Sequence, residues 1–217
     1  MSGFKLLSFF AITDEQAMHR VQMHDDAEAF TQLVSRWRTP IERLCTRMLG
    51  DSHRGEDLAQ ETFSKIYTRR KDYRGVAKFS TFLWRVAVNS CYDELRRLKR
   101  RPESPLDGGD DDFVHDRFQS DEPTPDEAVQ NDEQAANVRN ALQTLPELYR
   151  SVLILRHYEN LKFREIASVL EIPEGTVKSR MAEGLDLLGK ALKRKNKQEF
   201  KICKTTTNQS IRETILI

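Results

Sequence analysis

The chain of 217 residues has no run of about 18 apolar residues, so no membrane-spanning helix is expected. Its three cysteines, Cys45, Cys91 and Cys203, form no CxxC pair and cannot all pair internally. That excludes a disulfide scaffold and fits a reducing cytosol, with Cys45 and Cys91 as small core residues. Five scattered histidines offer no metal-ligand spacing. No segment alternates with period two for long, which excludes a sheet. No His/Asp/Glu cluster falls on a folded element, so neither catalytic residue nor metal nor cofactor is expected. The N-terminal FKLLSFFAI lacks a small-residue cleavage site and does not read as a signal peptide. Residues 1–23 read as a disordered extension; Met23, just before the first domain-like pattern, is an alternative start.

The net charge of +1 hides a strong segregation. Residues 24–101 carry 17 basic and 11 acidic side chains, and residues 135–195 carry 11 and 7. Between them, residues 102–134 carry one basic and 12 acidic side chains. Two basic blocks suit a polyanionic partner. The acidic segment holds four of the seven prolines and two adjacent glycines, so it reads as a linker that cannot fold alone. The fold class is therefore all-α, with two small helical domains joined by a flexible acidic linker. The tail, 196–217, has no functional reading.

In the first block, Phe30, Leu33, Val34, Trp37, Ile41, Leu44, Cys45 and Met48 repeat at helical spacing, with a possible bend at Pro40. Gly50-Asp51-Ser52 ends that helix, and Leu58, Ala59, Thr62, Phe63, Ile66 and Tyr67 mark a second. Asp72 to Gly75 reads as a loop. Phe79, Phe82, Leu83, Val86, Ala87, Ser90 and Leu95 mark a third helix, which runs out into Arg96, Arg97, Lys99, Arg100 and Arg101.

In the second block, Leu145-Pro146 starts a helix, and Leu161–Met181 reads as two short helices joined by a tight turn. Ile166, Ala167, Val169 and Leu170 form the apolar face of the first. Pro173 opens the second, where its missing N–H costs nothing. Val177 and Met181 bury one side of that helix, leaving Thr176, Lys178, Ser179 and Arg180 facing outward. This is the plan of a helix-turn-helix, whose second helix enters a DNA major groove.

Three motifs, in order, resemble bacterial sigma factors of the extracytoplasmic-function group. GEDLAQETF, Gly55 to Phe63, is similar to the family's polymerase-binding helix. FSTFLWRVAVNSCYDELRR, Phe79 to Arg97, is similar to its −10 recognition helix. LPELYRSVLILRHYENLKFREIASVLEIPEGTVKSR, Leu145 to Arg180, is similar to its −35 recognition domain. The resemblance implies region 2 over residues 24–101 and region 4 over 135–195. It implies binding to core RNA polymerase and promoter DNA, and an anti-sigma factor as a further partner. The alternatives are a helix-turn-helix regulator that never joins polymerase, and a nuclease. A simple repressor has no need of the Gly55–Phe63 face.

By that resemblance Asp57, Gln60, Glu61 and Phe63 meet polymerase, although Leu58, Thr62 and Phe63 fit an inward face. Arg74, Lys78, Phe79, Trp84, Arg85, Asn89, Arg96 and Arg97 meet the −10 element. Rings that stack on bases and cations that track phosphates suit single-stranded DNA, and Asn89 can pair bidentately with the edge of a flipped base. Phe82 and part of Trp84 also fit the helix's apolar period. Arg164, Gly175, Thr176, Lys178, Ser179, Arg180 and Glu183 meet the −35 element.

The acidic linker, roughly 30 Å as a coil and about 110 Å extended, joins modules that would sit about 70 Å apart on promoter elements two helical turns apart. The resemblance implies that it threads the polymerase's basic RNA-exit channel. The chain departs from the family pattern at Glu183 and Leu185, where arginine is common, and at Glu171, where the turn usually has Gly or Asn. A −35 sequence unlike the family's commonest one is expected, or weak dependence on that element.

Overall fold

The computed structural model describes residues 12–75, 77–100 and 125–215, and the side chains of these except 125–133 and 195–215. The described residues form helices and no strand. Helix α1 spans Asp14–His24, α2 Ala27–Leu49, α3 Ser52–Thr68 and α4 Phe79–Arg100, with a 3-10 turn at Arg70–Asp72 before α4. Helix α5 spans Pro125–Gln143, α6 Glu147–His157, α7 Phe163–Leu170 and α8 Glu174–Ile215. Most of the acidic linker lies outside the described residues.

Local chemistry sets most helix ends. Thr13 and Gln16 form a reciprocal capping box on α1. Asp26 and Asp51 cap α2 and α3 by accepting from the amides of Ala29 and Arg54. Gly50 ends α2 at φ 79, and a Cβ there would lie 2.8 Å from the Gln143 side chain. Glycine therefore serves both the left-handed turn and the close approach. Pro40 sits inside α2, which is continuous from Ala27 to Leu49.

Helices α1 to α4 enclose Met18, Leu33, Leu44, Ile66, Phe79 and Leu83, all fully buried. Cys45 and Cys91 are buried among them with their sulfurs 3.8 Å apart, as expected of small core residues. The second body packs Val152 to Leu155 of α6 against Ile166 and Val169 of α7 and Val177 of α8.

Three sequence-based boundaries are corrected. Residues 14–24 are a helix, not a disordered extension, and Ala17, Met18 and Val21 join the core; residues 1–11 lie outside the described residues. Helix α5 begins at Pro125, inside the segment assigned to the linker, and α8 runs on to Ile215, through most of the tail.

Candidate nucleic-acid interface

The helix-turn-helix comprises α7, the turn and the start of α8. Lys162 N donates to Glu165 Oε2 at 2.8 Å, fixing the entry to α7. Glu171 ends α7 in the left-handed region, φ 55 and ψ 41, at a cost of about 1–2 kcal/mol relative to glycine. The amide of Val177, in the first turn of α8, donates to Pro173 O. Val177 is buried and Met181 nearly so, as the four-residue spacing predicts.

The opposite face of α8 is open. Gly175, Lys178, Ser179 and Glu183 are exposed; Thr176 and Arg180 are half-buried. A Cβ at Gly175 would meet nothing within 4 Å. Lys178 pairs with Glu174 at 2.8 Å, and Ser179 Oγ donates to Gly175 O. Glu183 accepts from the Tyr149 hydroxyl at 2.7 Å, and this bond raises the Tyr149 phenol above its ordinary value. Arg164 is exposed on α7, and Leu185 is an exposed large apolar side chain on α8.

At the head of α4 the surface has an open hollow of about 410 Å³. Asp72, Tyr73, Arg74, Gly75, Ala77, Phe82 and Arg85 line it. The loop closes on itself: the Tyr73 hydroxyl donates to Ala77 O at 2.9 Å, and Gly75 turns at φ 69. Helix α1 holds the loop from behind. Gln22 Nε2 donates to Arg70 O and Tyr73 O, both at 2.5 Å, and Glu15 Oε1 accepts from Phe79 N at 3.2 Å.

Arg74 and Lys78 are exposed beside this hollow, and Arg85 forms part of its wall. Asn89 is exposed one turn further along α4. Arg96 and Arg97 are exposed and paired locally with Asp93 and Glu94. On α3, Asp57, Gln60 and Glu61 are exposed together, with Glu61 3.0 Å from Lys65.

Three aromatics expected to meet a partner are core residues. Phe63, Phe79 and Trp84 are 6%, 1% and 4% exposed. The Trp84 ring meets Trp37 edge-on at 5.7 Å, and Phe79 meets Tyr73 in the same way at 6.0 Å. Their rings fill the interior and offer no face for stacking. Tyr73 was not foreseen at the hollow; its ring is tilted against Phe82 at 5.5 Å. A tyrosine beside Arg74-Gly75 in a loop was the available signal for it.

Two helical bodies, one carrying a helix-turn-helix and one a cation-bearing helix beside a hollow, define a class of all-α protein built from two small helical parts. Comparison makes it specific. Residues 33–101 match the family Sigma-70 region 2, and residues 135–188 match Sigma-70, region 4. The chain is 36% identical over 181 residues to the RNA polymerase sigma-H factor of Pseudomonas aeruginosa, covering 82% of this chain and 93% of that protein. It is 35% identical over 172 residues to the ECF RNA polymerase sigma factor SigW of Bacillus subtilis, covering 77% and 91%. Its fold is similar to that of CnrH in complex with the cytosolic domain of CnrY, with a TM-score of 0.60, 20% identity and coverage of 83% and 97%. The chain belongs to the extracytoplasmic-function group of RNA polymerase sigma factors. It is a transcription initiation factor, which sets aside the regulator that never joins polymerase.

Proposed function

We propose that the exposed α3 face of Asp57, Gln60 and Glu61 docks on core RNA polymerase. The hollow at the head of α4 takes a base flipped from the −10 element, and α8 reads the −35 element. The observation that carries this reading is the hollow itself. It is walled by Tyr73, Phe82 and Arg85 and flanked by exposed Arg74 and Lys78. Rings and cations so combined suit an unstacked base and its phosphates. Asn89 adds a donor and an acceptor that match a base edge, and Arg96 and Arg97 supply further charge for the backbone. On the second body, Gly175, Thr176, Lys178, Ser179 and Arg180 meet the major groove and its phosphates, with Arg164 on α7 at the flank.

The chain has no chemistry of its own in this reading; the polymerase makes the bonds. Its place is the cytoplasm, where the polymerase works. Among the described residues no helix is long and apolar enough to cross a membrane. CnrH is bound by the cytosolic domain of CnrY. RpoE of Bartonella quintana is bound by the anti-sigma factor NepR. An anti-sigma partner is proposed here by that analogy.

Run-off transcription with purified core polymerase and fragmented genomic DNA tests the proposal. Starts that depend on the chain are expected. Asn89→Ala should abolish discrimination at one −10 position while leaving polymerase binding intact. If polymerase binds and Asn89→Ala initiates with unchanged −10 preference, the assignment of this face is wrong.

A further inference from the structure

Given the reading of α8 as the −35 helix, on which this rests, we infer that Glu183 specifies a cytosine in that element and that Tyr149 on α6 holds its carboxylate in position to do so.

Gly175, Ser179 and Glu183 stand four residues apart and form one exposed line along α8. Glu183 therefore shares the face that meets the major groove, about two turns beyond Gly175. An ionised carboxylate only accepts hydrogen bonds. In the major groove guanine and thymine present acceptors. Adenine presents a donor, N6, beside an acceptor, N7. Cytosine presents the N4 donor alone. A fixed carboxylate is attracted by that one base and opposed, wholly or in part, by the other three.

Its partner sets Glu183 apart from the other exposed acids of α8. Glu174 pairs with Lys178 at 2.8 Å and Asp186 with Lys190 at 2.6 Å, each a lysine one turn on. One turn on from Glu183 is Leu187, and among the described residues no cation pairs with Glu183. Its contact is the Tyr149 hydroxyl, which donates to Oε2 at 2.7 Å, the length of a charge-assisted bond. A neutral phenol leaves the negative charge in place and occupies one oxygen. The other, Oε1, is left to accept from a base.

The packing of α6 on α8 brings the tyrosine there. Tyr149 lies in the first turn of α6, and Gly184 is buried beside it. A Cβ at Gly184 would sit 3.3 Å from Leu153 Cδ1 and 3.4 Å from Tyr149 Cβ. Glycine inside a helix is unfavourable relative to alanine, and here it lets Tyr149 lie close along α8, next to Glu183. A free glutamate side chain samples many rotamers, and ordering it on binding weakens a complex. Tyr149 imposes that order before DNA arrives. Glu183 is thus the reading group and Tyr149 a positioning residue. The bare acid also faces phosphates of its own sign, a cost that the N4 hydrogen bond offsets only at cytosine. Specificity at one base pair rises while affinity for the other sequences falls.

The test uses the full chain with core polymerase and a promoter mapped by run-off, its −35 element randomised. Bound fragments are recovered and sequenced. Wild type should prefer cytosine at one position by about tenfold, within the range of a good base contact. Glu183→Ala should lose that preference and bind the other sequences more tightly. Glu183→Gln should move the preference to adenine, whose N6 and N7 match an amide. Tyr149→Phe keeps the ring and loses the donor; the cytosine preference should fall to about threefold, with the melting temperature of wild type. The inference is overturned if Glu183→Ala selects the same bases as wild type, or if Tyr149→Phe keeps the full preference. Ser179→Ala tells this failure from failure of the reading beneath it. If Ser179→Ala changes the selected −35 bases and Glu183→Ala does not, α8 reads the element without Glu183. If neither changes them, the −35 reading of α8 fails as well.

Discussion

The Gln22 amide donates to the carbonyl of Tyr73, 51 positions later, at 2.5 Å, and the same nitrogen donates to Arg70 O. Helix α1 thereby holds the loop that walls the hollow. Gln22→Ala removes both bonds, at about 1 kcal/mol each. A drop in stability of about 1–2 kcal/mol is expected in denaturant titration. Affinity for a −10 oligonucleotide should fall further than polymerase affinity does, because the loop loses its support while α3 is untouched.

Gly55 packs α3 against α2. A Cβ there would lie 2.3 Å from Thr46 Oγ1 and 2.7 Å from Thr46 N. The backbone cannot move aside cheaply, so Gly55→Ala should cost about 2 kcal/mol or more through overpacking. Thermal melting checks this, and Gly175→Ala, where a Cβ has open space, is the control.

Arg150 is a cation 7% exposed; among the described residues it forms no salt bridge, and Glu147 acts on it only from a greater distance. Its Nη1 donates to Gln143 Oε1 and Met48 O, and its Nη2 to Gln143 O and Leu145 O. Burial lowers its pKa from the ordinary guanidinium value. Arg150→Met should destabilise the chain by about 3 kcal/mol, since several buried carbonyls lose their donor. Arg150→Lys should not rescue it, because one ammonium cannot reproduce the planar fork. Denaturant titration of the three proteins measures both effects.

The Glu147 carboxyl is held below its ordinary value, first by its own backbone amide at the start of α6 and then by Lys99. A depressed carboxyl stabilises the folded chain above its unfolded pKa and loses that contribution as pH falls through the folded value. Stability should therefore decline as pH drops through and below the usual carboxylate range, and Glu147→Gln should lose that part of the decline. Melting temperature against pH, compared between the two proteins, is the measurement.

Much of the site was legible in the residues. Val177 and Met181 at four-residue spacing, after Pro173, marked the recognition helix and the face it leaves outward. Asp72 to Gly75 marked the loop that walls the hollow. Helix α1 was missed because Ala17, Met18 and Val21 form a short, weak pattern between charged residues, and much of its burial comes from α2 and α4. Phe63, Phe79 and Trp84 were misassigned for a related reason. An aromatic ring suits a stacked base and a core equally well, and only its neighbours decide.

The sequence by itself determined most of the helices, though not α1 or the start of α5, through apolar spacing and capping residues that act within a few positions. It also determined the helix-turn-helix, the charge segregation and the family, whose motifs are local strings. Tertiary structure alone decided that Gln22 supports the Tyr73 loop, that three aromatics are interior, and that Glu183 meets Tyr149. Those outcomes depend on residues tens of positions apart arriving at one place, and no local pattern records which surfaces will meet.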